Sequence, residues 1–396
     1  MSGLIALDEA RERLLALIEP IEWEVVPLDR AAGRILALPV LAAWSQPARD
    51  LSAMDGYAVR SADLGEDNTR LSLGGESAAG HAYEGELPAG HAIRISTGAA
   101  VPDGADQIVI QENTRREGDD VLIEDSPREG AHIRRAGQDF ITDETLGEPG
   151  LRLRGENLAL LAAGGASELP VIRRPRVGVI ASGDELVPAG QWPGPDQIVN
   201  SVAPGLMGLI RHWGGEAIDL GIARDNPDSV GEALGRGSNC DLIVTIGGAS
   251  VGDHDHFRRV FADRDGQLSF EKIAVKPGKP TWSGRLGKQI YLGLPGNPVS
   301  ALVMARLLLK PALARMLGQE TTTVFHPART RAPLDANGPR ETFVRARHLG
   351  DGEVEPMAKQ DSSVVTALAR ATCLIRREIG AEAVPAGSAV EILQLD

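Results

Sequence analysis

Apolar positions recur at helical spacing near the start of the chain, at Leu4, Leu7, Leu14, Leu15, Leu17 and Ile18, and predict a helix that Pro20 ends. Gly33 to Val40 reads as a turn entering a short strand. Between residues 45 and 139 the pattern changes: glycine recurs, and short alternating runs appear at Ala92–Ile95, Gln107–Ile110 and Val121–Ile123, with turn signals such as Pro102-Asp-Gly104 between them. That stretch predicts a small β-rich domain. Asn157 to Ala166 predicts a short helix ending in glycines. From Arg176 the period becomes strand–helix–strand, with strands at 176–182, 217–223, 241–247 and 289–294 and helices at 197–213, 226–236 and 255–263. Such alternation predicts a mostly parallel sheet covered by helices. Leu268 to Leu286 is expected to form a hairpin around Pro277-Gly278, and a helix should run from Val299 to Leu317. After His326 the chain is again strand-like: 343–348 and 353–357 pair across Gly350-Asp-Gly352, and further strands fall at 372–377 and 388–394. A small β-barrel or sandwich is expected there.

The 396 residues exceed what one core usually serves. Four domains are expected: 1–44 with 140–175 as a discontinuous linking domain, 45–139 as the β-rich domain, 176–322 as the α/β domain, and 323–396 as the C-terminal barrel. The net charge of −14 argues against a binder of nucleic-acid backbones. Cys240 and Cys373 have no CxxC spacing and read as buried small apolar residues. No basic stretch leads into an apolar h-region, and no run approaches the ~18 apolar residues of a membrane helix. A reducing, cytoplasmic setting without membrane insertion is expected.

Chemistry concentrates after the predicted parallel strands. Ser182-Gly-Asp-Glu185 follows the first, Arg224-Asp225-Asn226 the second, Gly252-Asp-His-Asp255 the third and Pro295-Gly-Asn-Pro298 the fourth. Ligands of open α/β sheets bind outside the carboxyl ends of the strands. Any single acid there serves equally as a helix cap. Three acidic sets at one end, near Lys276 and Lys279, favour a phosphate or oxyanion ligand with a metal. The glycine-rich loop from Gly247 and the helix start at Asn297-Pro298 add backbone N–H groups suited to anions. His254 and His256 stand two residues apart, which points them to different faces, and no third nitrogen or sulfur ligand accompanies them. Zinc is therefore not expected, and Mg²⁺ on carboxylates is. No GxGxxG follows the first strand and no GxxxxGK[ST] occurs. Asp55 and Thr97 read as ordinary turn residues.

Taken together, Ser52-Ala-Met-Asp-Gly-Tyr57, Ser182-Gly-Asp-Glu-Leu186, Gly247-Gly-Ala-Ser-Val-Gly-Asp253, Lys276-Pro-Gly-Lys-Pro280 and Leu294-Pro-Gly-Asn-Pro-Val-Ser-Ala301 resemble the MoeA family of molybdopterin molybdenumtransferases, related to the E domain of gephyrin. The resemblance runs in order along nearly the whole chain. It implies an elongated homodimer and a central domain of the molybdopterin-binding type. It also implies adenylylated molybdopterin and molybdate as substrates, Mg²⁺ as cofactor and AMP as product. The upstream adenylyltransferase is an implied partner. By position, the implied catalytic residues are Asp55, Thr97, Asp139, Glu185, Asp225, Asp255, Lys276 and Lys279, with Glu185, Asp225 and Asp255 on the metal. Implied substrate contacts are Ser182, Gly183, Asp184, Gly247, Gly248, Ser250, Gly252, Asp253, Pro295, Gly296, Asn297, Pro298, Arg345 and Ser362. Asp55 and Thr97 are implied to reach the partner subunit's α/β domain. Gln138 and Asn226 stand where the family often has carboxylates, which bears on the metal ligand set, and Ala249 replaces a usual valine. Two other classes remain open: a molybdopterin adenylyltransferase, which resembles the central domain alone, and a scaffold of the gephyrin kind with a vestigial site.

Overall fold

The computed structural model describes residues 3–65, 68–247 and 256–395, and the chain forms two compact units: residues 25–171, and residues 1–24 with 172–396. Each is taken by itself.

The larger unit is built on strands β1 (Arg176–Ser182), β2 (Glu216–Ala223), β3 (Leu242–Ile246), β4 (Gln267–Phe270), β5 (Val275–Lys276), β6 (Trp282–Leu286) and β7 (Gln289–Leu294). All but β5 form one sheet in the order β2-β1-β3-β7-β6-β4, in which β2, β1, β3 and β7 are parallel. β6 and β4 add an antiparallel edge. Successive residues of β1, β3 and β7 are nearly all buried because both faces are covered there. Val177, Val179, Leu242, Val244, Ile290 and Leu292 point into one core, while Ile180, Ile243 and Tyr291 point into the other. This alternation is the period of two that a strand imposes.

The covering helices are α1 (Leu7–Leu15), α2 (Val202–His212), α3 (Pro227–Arg236), α4 (His256–Asp263), α5 (Pro298–Met304) and α6 (Lys310–Met316). α1 buries Leu7, Ala10 and Leu14 in the same core as β1, β3 and β7. It therefore packs with the α/β sheet, whereas the sequence reading grouped residues 1–44 as one piece. Between α5 and α6, residues 305–309 wind as a π-helix. Pro311 has no N–H to donate back along the helix, and the wider turn accommodates that loss.

Two expectations are corrected. β4 and β6 do pair antiparallel, but the chain between them is too long for a tight hairpin: it runs out to β5, which pairs parallel with Glu341 and Thr342 of the C-terminal region. The helix expected from Gln197 starts at Val202; Ile198-Val199 instead forms a short parallel pair with Leu186-Val187.

The C-terminal strands are β8 (His326–Thr330), β9 (Glu341–Gly350), β10 (Glu353–Pro356), β11 (Cys373–Arg377) and β12 (Ala389–Gln394), and the short helix α7 (Val365–Arg370) leads into β11. Pairing in the order β9-β10-β8-β12-β11 and back to β9 closes a five-stranded barrel.

In the smaller unit, strands at 107–110, 56–59, 91–95, 69–77, 120–123 and 114–117 form one sheet in that order. The flanking segments share a separate core of Val26, Ala31, Leu36, Leu153, Leu161, Leu169 and Val171. Around Ile35 the chain makes only isolated bridges, to Arg152 and Val171, and the strand proper is Val40–Leu41.

Among the described residues, no helix is long and apolar enough to cross a membrane.

Candidate active site

The first strand of the sheet, β1, lies between β2 on one side and β3 on the other. The chain thus leaves β1 in one direction and later returns past it in the other. Loops diverge at such a switch point, and the space between them is the usual ligand site of this fold. A cavity of about 820 Å³ opens there. Its walls come from the carboxyl ends of four strands: Ser182, Gly183 and Glu185 after β1, Asp225 after β2, Ile246 and Gly247 at β3, and Pro295 to Pro298 after β7.

Glycine is required where these ends converge. Gly247 has φ +88°, and a Cβ on it would stand 2.7 Å from the Ser182 carbonyl oxygen. A Cβ on Gly183 would stand 2.4 Å from Glu185 Oε2, so the Glu185 carboxylate lies folded over that glycine.

Asp225 is held from two directions. Its Oδ1 accepts the Ser182 hydroxyl at 2.8 Å, and its backbone N–H donates to Asp184 Oδ1 at 3.2 Å. The Arg224 guanidinium donates to the Asp184 carbonyl at 2.9 Å, which secures the loop. Asn226 is the N-cap of α3: its Oδ1 accepts the Ser229 N–H at 2.9 Å. An amide fills that capping task as well as a carboxylate does. Asn297 is the N-cap of α5 by position, yet its side chain makes no capping bond, and it lines the cavity.

Lys279 lines the cavity together with Lys272, which sequence reasoning missed. Asn200, Ser201, Ser363 and the apolar residues Leu186, Ile198, Val199, Val202 and Val365 also line it. A helix starting at Gln197 would carry Ile198 to Ser201 on its first turn, whereas the structure sets them in the cavity wall ahead of Val202. Two features could have flagged this stretch: Pro193 and Pro195 just before it, and a cap-type pair, Asn200-Ser201, directly ahead of the apolar period.

Several expected residues stand elsewhere. Lys276 is exposed on β5 and is not among the cavity's lining residues. Arg345 is 1% exposed; its Nη2 donates to the carbonyls of Lys359 and Asp361 at 3.4 and 3.3 Å, and Gln360 bonds both its backbone N–H and its carbonyl. Burial lowers its pKa from the ordinary arginine value. Arg345 thus fixes the 359–361 loop. Ser362 offers its carbonyl to the Val299 N–H in the first turn of α5, at 3.1 Å, while the neighbouring Ser363 lines the cavity.

In the smaller unit, Asp55 Oδ1 accepts the Thr97 N–H at 2.6 Å. That bond and the nearby Arg94 hold the exposed carboxyl below the usual aspartate range. The Ser52 backbone bonds Ala99 and Gly98, which ties the two loops together. Asp139 is exposed, with its N–H on the Gln46 carbonyl at 3.0 Å. Gly248, Ser250, Gly252, Asp253 and Asp255 lie outside the described residues, as does His254.

Three family models match the chain: the MoeA N-terminal region (domain I and II) over residues 5–165, a probable molybdopterin binding domain over 178–315, and the MoeA C-terminal region (domain IV) over 327–395. The molybdopterin molybdenumtransferase of Haemophilus influenzae is 36% identical over 398 residues, spanning 98% of both chains. The chain belongs to the MoeA family. The molybdopterin molybdenumtransferase of a Nostoc species is 35% identical over 94% of this chain and 89% of that one. Among solved structures, a molybdopterin biosynthesis MoeA protein from Pyrococcus horikoshii matches with a TM-score of 0.88 and 31% identity over 99% of each chain.

With the family in hand, the cavity can be tested for Mg²⁺. Among the described residues no three His, Cys, Asp or Glu side chains cluster as a metal site. Glu185 and Asp225 nevertheless line one cavity, and their donors are all oxygen. Mg²⁺ typically takes one or two carboxylates and fills its shell with waters and substrate phosphate oxygens. The residues present fit that ion.

Proposed function

We propose that the protein is a molybdenum insertase of molybdenum cofactor biosynthesis, which converts adenylylated molybdopterin and molybdate into molybdenum-loaded molybdopterin and AMP. The observation that carries this reading is the single cavity that gathers two carboxylates, two lysines and four strand ends in a chain of the MoeA family.

Lys279 and Lys272 would take the anionic groups of the substrates by charge-assisted hydrogen bonds. The backbone around Gly247 and Gly296 lets a phosphate approach closely. Leu186, Ile198, Val199, Val202 and Ile246 offer an apolar wall for the flat pterin. Glu185 and Asp225, with Asp255, would hold Mg²⁺, which when bound neutralises charge on the phosphoanhydride. Ser182 fixes the Asp225 rotamer, so the carboxylate is oriented before substrate arrives. The substrate's own sulfurs receive molybdenum, so no protein thiol is needed; both cysteines are buried. Catalysis in this scheme is positioning and electrostatics. Lys276, Asp139, Arg345 and Ser362 would act around this centre. Asp55 and Thr97 would complete it from the partner subunit of a homodimer.

Nucleotide accounting tests this reading. With adenylylated molybdopterin, molybdate and Mg²⁺, AMP should appear and ATP should not be consumed. ATP consumption that yields adenylylated pterin would instead make the protein an adenylyltransferase.

A further inference from the structure

In the smaller unit, Asp55 stands exposed in the turn between the buried residues Ser52 and Gly56. A carboxylate on an exposed turn keeps one orientation only where the backbone on both sides of it is held. Ahead of Asp55, the Ser52 hydroxyl donates to the Met54 carbonyl at 2.6 Å, and the Ala53 N–H donates to the His132 carbonyl at 2.8 Å. The Asp55 carbonyl itself accepts the Gln111 N–H at 3.1 Å. Behind it, Gly56 opens the strand 56–59 and pairs with Ile95 and Ile110.

One side chain ties these supports together. Arg94 Nη1 donates to the Gly56 carbonyl at 3.1 Å, and Arg94 Nη2 donates to Gln111 Oε1 at 2.9 Å. Gln111 is the residue whose N–H holds the Asp55 carbonyl. The guanidinium carbon lies 5.2 Å from the centre of the Tyr57 ring, and Tyr57 faces Arg94 directly across the antiparallel pair. A planar fork suits this task, since two donors in fixed geometry span two acceptors while the ring holds the plane. The strand that carries Arg94 runs on to Thr97, whose N–H donates to the Asp55 carboxylate at 2.6 Å. The bonds from Thr97 come first in holding that carboxyl below the usual aspartate range, and Arg94 is the charged side chain that adds to them.

We propose that Arg94 is a positioning residue for Asp55: by bracing Gly56 and Gln111, it keeps the Asp55 carboxylate in one orientation toward the substrate. The inference rests on the reading above in which Asp55 completes the centre of the partner subunit. Arg94 acts through the backbone around Asp55 and has no contact of its own with substrate in this scheme.

The Thr97 amide proton reports on the Asp55 carboxylate and needs no substrate. It is followed by NMR across acid pH in the full-length protein labelled at threonine, and Asp55→Ala, in which its titration disappears, assigns it. Arg94→Gln removes both the charge and the fork. Its Thr97 signal should titrate at higher pH than in the wild type, because a support of the ionised carboxyl is gone. AMP release from adenylylated molybdopterin, molybdate and Mg²⁺ should fall roughly tenfold in the same variant, the scale set by a misplaced catalytic group. Arg94→Lys keeps the charge and should lie between wild type and Arg94→Gln in both readouts. Circular dichroism and the melting midpoint check the native fold of each variant. Lower AMP release with an unchanged Thr97 titration would mean a merely structural arginine and overturn the proposal, as would unchanged AMP release in folded Arg94→Gln. A wild type that releases no AMP would sink the insertase reading instead, and the Thr97 titration would then decide alone whether Arg94 braces Asp55.

Discussion

Asp225 sits at a strand end, bonded to Ser182 through its carboxylate and to Asp184 through its backbone. Strand-end carboxylates in a ligand cavity serve chemistry more than core packing. Asp225→Ala should therefore fold and melt almost as the wild type does, and lose AMP release by on the order of a hundredfold or more. Unchanged AMP release in the folded variant would remove Asp225 from the site. Glu185 and Asp225 were legible as cavity residues because they follow predicted strand ends, and Lys279 because it stands in the Pro-Gly-Lys turn. Lys272 was not, since it precedes the buried Ile273 outside any motif, and only the fold turns it toward the cavity. Arg345 was legible as a charged residue in a strand, but its burial against backbone carbonyls depends on tertiary packing.

At the level of elements, the amino ends of β1 and β3 are pinned together by one carboxylate. Arg173 donates to both oxygens of Asp241, at 3.0 and 2.9 Å, and the Arg176 N–H donates to Oδ2 at 2.6 Å. Glu22 bonds the same guanidinium at 2.6 Å, and this interaction lowers its pKa. Asp241→Asn keeps the shape but removes the charge from a partly buried pair. It should cost about 1–3 kcal/mol, read as a lower urea midpoint with an unchanged slope. An unchanged midpoint would mean that the sheet does not depend on this pin. The parallel strands were legible because their apolar runs alternate with helical periods and turn residues. The start of α2 was blurred because Ile198 and Val199 continue the apolar pattern backwards, although their backbone pairs with Leu186-Val187. Helix α7 has only six residues and opens on β-branched Val365 and Thr366, so periodicity gave no signal for it.

For the whole molecule, periodicity shows that α1 has an apolar face but not which surface covers it, so its packing against the α/β sheet could not be read from the sequence. The barrel was legible as strands and turns; its closure, β9 pairing with both β10 and β11, is a long-range fact. A homodimer with shared sites predicts complementation. Asp55→Ala and Glu185→Ala homodimers should both be inactive. A mixed dimer of the two should recover activity at its one intact site, approaching half the wild-type value if the sites act independently. Differently tagged subunits, co-expressed and purified as the mixed dimer, provide the check; no recovery with folded subunits would place Asp55 in its own subunit's chemistry or stability. The central claim, that the cavity at the carboxyl ends of the sheet loads molybdenum onto the pterin, is tested most directly by the mass of the pterin itself after incubation with adenylylated molybdopterin, molybdate and Mg²⁺. The account predicts a pterin that has lost its adenylyl group and carries molybdenum, formed by the wild type and not by Asp225→Ala. Adenylylated pterin recovered unchanged from the wild type, or product formed equally by the variant, would contradict it.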